Sequence, residues 1–264
     1  YQEVALGIWT NEAGSPAGPE LSVTYRYVSL YACEPTKVII YSQSTTDSGG
    51  PGVDGYMNNT RGPNYADHAT WKEMTTDAVS KNTGVAGEAD EAHSNYGYAA
   101  AAIYNSNHSP YDRYNYWYRG VISFDTSSIP DDAIITKGEV ALVAMANKDN
   151  FTDVGYVVIT EMDLADPEVI QTTDWSNFGA IASNALALQH ERGGFPSIIG
   201  DGLTGWIGWG SQIGNKSYSR WTLNQIGLDH IRGVEGRVKD NTAYGVQLLS
   251  DAIGKEVSGF AYDK

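Results

Sequence analysis

The chain has 264 residues, 41% apolar and 19% charged, enough for one large all-β domain or two small ones with a sizeable core. Its 17 Lys and Arg against 32 Asp and Glu give a formal net charge of −15. That charge argues against nucleic acid as a partner, because phosphates would be repelled, and fits an extracellular protein, divalent cations or simply solubility.

No run of about 18 apolar residues exists, so no helical membrane span is expected. Cys33 is the single cysteine and has no partner for an intramolecular disulfide. A chain that begins at Tyr1 is expected to be a processed or trimmed product.

In chain order, residues 3–10 (EVALGIWT) read as a strand, and NEAGSPAGPE at 11–20 reads as a loop. Residues 21–28 alternate, with Leu21, Val23, Tyr25 and Tyr27 on one face and Ser22, Thr24 and Arg26 on the other. A strand at 36–42 (TKVIIYS) is followed by a Ser, Thr and Gly loop. This divides the chain into an N-terminal strand segment, 1–45, and a main domain, 46–264. Residues 60–95 are polar and irregular, with a short helix or strand at 70–79, and 96–104 (YGYAAAAIY) reads as a strand.

The centre of the sequence is 114–146. A first strand carries Tyr118, Val121, Ile122 and Phe124, and a second runs from Ile134 to Ala146. Between them, Ser127, Ser128, Pro130, Asp131 and Asp132 form a corner: Pro fixes φ and lacks an N–H, and Asp bonds its own backbone. A long strand, a corner and a second apolar strand suit a β-sandwich.

Beyond it come a turn at ANKDNFTD, a strand at 154–160, a capped turn at 173–179 and a long Gly-rich loop at 192–217. A strand YSRWTL follows. NQIGLDHIRG reads as one short helix with Asn224 as N-cap, Gly233 past its C-cap, and Leu228 and Ile231 toward the sheet. AYGVQLLSD and VSGFAYD read as the last strands.

The segment YRGVISFDTSSIPDDAIITKGEVAL resembles the core of the disaggregatase-related domain. DGYMNN (54–59), DWSNFG (174–179), WTLNQIGLDHI (221–231) and YGVQLLSDAIGKE (244–256) match further pieces in the same order. The resemblance covers roughly 46–264. It implies a jelly-roll-like β-sandwich similar to carbohydrate-binding modules, found in extracellular or cell-surface proteins, with no catalytic set.

In that family, a sequence like YGVQLLSDAIGKE is followed by further strands, and the resemblance places their counterpart at the N-terminus here, in ALGIWTNEAGSPAGPELSVTY at 5–25. These strands are expected to close their own sandwich, to belong to a preceding repeat, or to enter a neighbouring subunit as donor strands. Head-to-tail donation does not close on itself, so it builds a filament.

GDGLTG at 200–205 matches G-x-G-x-x-G but runs into WIGWGSQIG, which suits no helix, so no dinucleotide is expected. No nucleophile elbow, zinc pair or Walker sequence is present, and the five histidines are scattered. No enzymatic activity is expected.

Trp206, Trp209, Tyr114 and Trp117 are candidates for stacking on sugar rings; the competing reading puts Tyr116 and Tyr118 in the core and Trp206 and Trp209 at one end or an interface. Asn147, Asp149 and Asp153 are candidate oxygen donors for a structural calcium, but fall short of the six to eight oxygens such an ion takes. Asn150, Asn215 and Asn58 lie in glycosylation sequons.

The expected function is a structural subunit of an extracellular filament or array, a homopolymer built through Leu21, Val23, Tyr25 and Tyr27. The alternatives are a polysaccharide-binding module and a virion fibre component.

Overall fold

The structure is a computed structural model. It describes residues 2–9, 19–26, 35–42, 54–60, 70–71, 73–74, 91–94, 98–105, 114–142, 144–149, 157–167, 169–178, 185–187, 189–190, 219–233 and 238–252.

Alternating apolar residues and polar corners resolve into two antiparallel sheets, an all-β sandwich. The N-terminal segment supplies β1 (Gln2–Trp9), β2 (Glu20–Arg26) and β3 (Thr36–Tyr41). The main domain begins with β4 (Gly55–Thr60), β5 (Glu91–Ser94), β6 (Tyr98–Asn105) and β7 (Tyr114–Asp125). It continues with β8 (Ile134–Leu142), β9 (Ala144–Asp149) and β10 (Val157–Met162). Last come β11 (Ala185–Ala187), β12 (Gln189–His190), β13 (Ser219–Thr222) and β14 (Asn241–Leu248).

The first sheet runs β11-β10-β14-β7-β6-β1-β9, with β4 on β7 and β5 on β4; the second runs β12-β13-β8-β2-β3. The twelve-residue β7 organises the first sheet. Its residues 116–121 pair with β4, while 120–125 pair with β14 and 114–118 with β6. Since a strand has two edges, β4 occupies one and β14 and β6 share the other in series.

The corner after β7 is held as its residues predict. Ser127 N donates to the Asp125 carboxylate at 3.0 Å, and Ala133 N donates to Pro130 O at 2.9 Å. The apolar run from Ile134 onward then divides between the sheets: β8 lies in the second and β9 in the first.

Residues Ile122, Phe124, Tyr244 and Val246 are buried in one core with Leu21, Val23, Ile135, Val140 and Trp221 of the second sheet. The opposite face of β7 carries Trp117 and Arg119 and is covered by helical turns. These are the 3-10 turn Thr172–Asn177, a helical turn begun by Thr70, and α2 (Leu249–Ala252), which follows α1 (Gln225–Ile231) in the chain. Thr70 and Glu73 form a reciprocal cap, Thr70 N donating to Glu73 Oε2 at 2.8 Å and Glu73 N to Thr70 Oγ1 at 3.3 Å. This turn sets Trp71 edge-on against Trp117, ring centres 4.6 Å apart.

Beneath the cover lies a buried ion pair. Arg119 donates through Nε and Nη2 to the two Asp251 oxygens at 2.8 and 2.7 Å, and through Nη1 to Trp175 O at 2.9 Å. Trp117 Nε1 donates to the same carboxylate at 2.9 Å, and the guanidinium lies 4.2 Å from the centre of the Trp175 ring. A bidentate fork matches carboxylate geometry and leaves little of either charge unsatisfied.

α1 forms as its sequence predicts. Asn224 Oδ1 accepts from Gly227 N at 3.0 Å, and Leu228 and Ile231 are buried. Several expectations are corrected. The capped turn read at 173–179 is the 3-10 turn, and the helix-or-strand stretch at 70–79 opens with a helical turn, so α2 is the one helix not expected among the described residues. β14 stops at Leu248, and its expected continuation to Asp251 is α2 instead of strand. The polar stretch 60–95 contains β5. The final VSGFAYD lies outside the described residues.

Removing one member of the ion pair strands a charge under the cover, so Asp251→Ala should cost about 3–5 kcal/mol. The joint replacement Arg119→Met with Asp251→Leu should recover most of that loss. Urea denaturation of the three chains checks this.

Candidate assembly interface

β2 earns its place in the second sheet by alternation. Leu21, Val23 and Tyr25 are buried. Each contributes roughly 1.5–3 kcal/mol before ordering costs. Its partner β8 is antiparallel, with Leu21 opposite Val140, Val23 opposite Gly138 and Tyr25 opposite Ile135. The register shifts between Thr24 and Tyr25, and there Thr136 Oγ1 donates to Thr24 O at 3.0 Å. Gly138 lets the two leucines pack close to the strand: a Cβ there would stand 2.6 Å from Leu223 Cδ1 and 3.1 Å from Leu228 Cδ2, and the Leu223 side chain would have to shift.

An ion cluster ties β2 across β8 to β13. Glu20 and Arg220 both stand opposite Ala141, one on each side of β8. Arg220 Nη1 lies 2.9 Å from Glu139 Oε1, and its Nη2 lies 3.7 Å from Glu20 Oε2. Arg220 is partly exposed, so the cluster fixes register more than it adds stability.

β1 is placed by its main chain. It lies between β6 and β9, antiparallel to both, with Val4 opposite Ile103 on one side and Asp149 on the other. The N-terminal segment therefore enters both sheets: β1 fills a slot between two strands of the main domain, and β2 extends the second sheet from β8 and carries β3 outside it. Of the four residues expected at a donor-strand interface, Leu21, Val23 and Tyr25 line this junction, and Tyr27 lies outside the described residues.

The other candidate sites are not brought together. Tyr114 and Trp117 are 1% and 0% exposed and cannot meet a sugar; they pack with Trp71 under the helical cover. Tyr116 is exposed and stacks on Tyr118 at 6.4 Å between centres. Tyr116 and Tyr118 share the face of Ile122 and Phe124, as the competing reading expects, but Tyr116 stands exposed toward the start of β7 and Tyr118 is half-buried. The register shift of β6 against β7 between Tyr104 and Asn105 goes with Tyr114 packing beside Trp117 on the opposite face. Trp206 and Trp209 lie outside the described residues.

Asn147 and Asp149, read as part of a turn, stand in β9 opposite Leu6 and Val4; Asp153 lies outside the described residues. Among the described residues, no cluster of three His, Cys, Asp or Glu side chains is placed to hold a metal. Asn58 is 5% exposed in β4, which leaves no room for a glycan on the folded chain, and Asn150 and Asn215 lie outside the described residues. No described helix is long and apolar enough to cross a membrane.

Leu21→Ala should cost about 2–5 kcal/mol by opening a cavity in the shared core, read as a lowered urea midpoint with an unchanged slope. Trp117→Ala should lower stability by about 3–5 kcal/mol and leave retention on a polysaccharide array unaltered. Comparison of the chain with protein-family models, curated proteins and solved structures finds no match.

Proposed function

We propose that the protein is a structural subunit of an extracellular filament or array, assembled head-to-tail by donation of residues 1–45 from one copy to the next. The observation that carries this reading is the way the segment enters the fold. β1 occupies a slot between β6 and β9, and β2 covers the edge of β8. Without the segment, β8 and β9 each expose a row of unpaired N–H and C=O groups, a liability that has to be filled.

A second feature supports the same reading. β3 ends at Tyr41 and β4 starts at Gly55, and the sequence between them is SQSTTDSGGPGVD. Sequences rich in Ser and Gly serve in general as linkers of adaptable reach. Residues 1–41 can therefore fill the slots of their own chain or of the next, with the same contacts in either case. Exchange of an identical element is a low-cost route to association, and a head-to-tail sequence of exchanges gives a fibre. The resemblance of residues 5–25 to the family's closing strands fits a segment that completes a sandwich begun elsewhere.

Residues 46–264 alone should be poorly stable and unable to assemble, and a peptide of residues 1–45 should restore the melting transition. Val23→Asp in that peptide should abolish rescue, because an unpaired carboxylate would enter the core. Full-length protein should form filaments, seen by electron microscopy, as its concentration rises. A stable monomer at high concentration, with β1 and β2 protected from hydrogen exchange independently of concentration, would overturn the reading.

A further inference from the structure

β3 closes one end of the second sheet, and among the described residues nothing pairs with its far edge. It is the longer of that sheet's two outer strands, six residues against two for β12. Ile39 and Tyr41 are 46% and 40% exposed. They are the only exposed large apolar residues that share a strand among the described residues. Val38 and Ile40, on the other face, turn toward the core.

The pairing with β2 fixes which main-chain groups face outward. Ser42 N donates to Pro19 O at 3.1 Å, so this pair is hydrogen-bonded. In an antiparallel ladder such pairs alternate. In the unbroken register of β2 with β3, the bonded pairs are therefore Leu21 with Ile40, Val23 with Val38, and Tyr25 with Thr36. The N–H and C=O groups of Lys37, Ile39 and Tyr41 consequently point to the open edge.

A strand that pairs there must offer its own outward groups in phase and keep apolar residues on the core face. A second β3 does both when the two strands run antiparallel about a two-fold axis through Ile39. Ile39 then exchanges both bonds with the partner's Ile39, and Lys37 does so with the partner's Tyr41. Registers centred on Val38 or Ile40 keep the same phase but form fewer bonded pairs. In the central register Val38 stands beside the partner's Ile40 on the core face. On the outer face, the Lys37 ammonium meets the partner's Tyr41 ring, an attractive cation–π arrangement.

We infer that β3 is a self-pairing edge, through which two copies of this chain join their second sheets into one continuous sheet about a two-fold axis at Ile39. The contact is isologous and closes on itself. It differs from strand donation and holds whether residues 1–45 serve their own chain or the next. In a filament it would join two strands of subunits side by side.

The test places single cysteines in full-length protein carrying Cys33→Ser. Bonded partners in an antiparallel ladder have Cα atoms about 5.5 Å apart, within disulfide reach. Under mild oxidation Ile39→Cys should give a disulfide-linked dimer. Lys37→Cys should not link to itself, but should link to Tyr41→Cys when the two are mixed. Ile39→Pro removes one outward N–H and leaves the β2 ladder whole, because Ile39 donates to the open edge. It should weaken dimerisation in sedimentation at least tenfold with little change in melting temperature. Ile39→Lys, which sets two ammonium groups on the axis, should do the same and serves as the second variant if proline disturbs β3.

Equal linking at positions 37 and 39, or no linking at 39, would overturn the inference. So would undiminished association of both Ile39→Pro and Ile39→Lys. A dimer linked through Ile39 whose β1 and β2 stay within their own chains would support this inference while sinking the donation reading.

Discussion

The constraint on which this fold depends is the main chain of residues 134–149. This run supplies β8 to one sheet and β9 to the other, and every buried N–H and C=O along it needs a partner. β13 satisfies one side of β8. The second side of β8, and the paired side of β9, are both satisfied by residues 1–26. One segment at the start of the chain thus closes both sheets, and does so at the two halves of a single long run. That coupling makes the N-terminal segment more than an appendage: its removal opens the sandwich on both layers at once.

The main domain carries its own anchor away from those slots. Arg119, Asp251, Trp117 and Trp175 lock α2 and the 3-10 turn over β7 through three donors on one carboxylate and a guanidinium stacked on an indole. Nearby, Asp174 gathers further turn ends: its carboxylate accepts from Gln171 N at 2.9 Å and Ala165 N at 3.1 Å. None of these contacts uses a residue of the N-terminal segment. The cover over β7 is therefore held without any residue of the segment that fills the slots, as an exchange of that segment between subunits requires.

Much of this was legible in the sequence. Leu21, Val23 and Tyr25 alternate because that face of β2 lies in the core; the other face is covered as well, with Glu20 and Ser22 buried, and it is their polarity that keeps the period visible. Asn224 announced α1 through its side-chain acceptor, and the Pro-Asp-Asp corner announced the end of β7 through its turn chemistry. What failed has a physical reason in each case. Trp117 and Tyr114 looked like surface aromatics because β7 is covered on both faces, by the second sheet and by helical turns, so alternation no longer separates inside from outside. Asn147 and Asp149 looked like a turn because Asn and Asp favour turns, but β1 supplies a ladder that overrides the preference. Ala243–Leu248 was read as a strand running on to Asp251, because nothing local marks the place where α2 begins. β3 read as one strand among others; its role at an open edge follows from the order of strands in the sheet, which no local pattern encodes.

Donation of the N-terminal segment is tested most directly by asking which chain's β2 lies on which chain's β8. Thr24 stands opposite Lys137 in that ladder, and the Lys137 side chain is exposed. Thr24→Cys and Lys137→Cys are made in separate full-length chains, each with Cys33→Ser, then unfolded, mixed, refolded at assembly concentration and mildly oxidised. Donation predicts mixed disulfides that join one chain of each kind. Their complete absence from the mixture, while a single chain bearing both cysteines closes its own disulfide as a monomer at the same concentration, would contradict it.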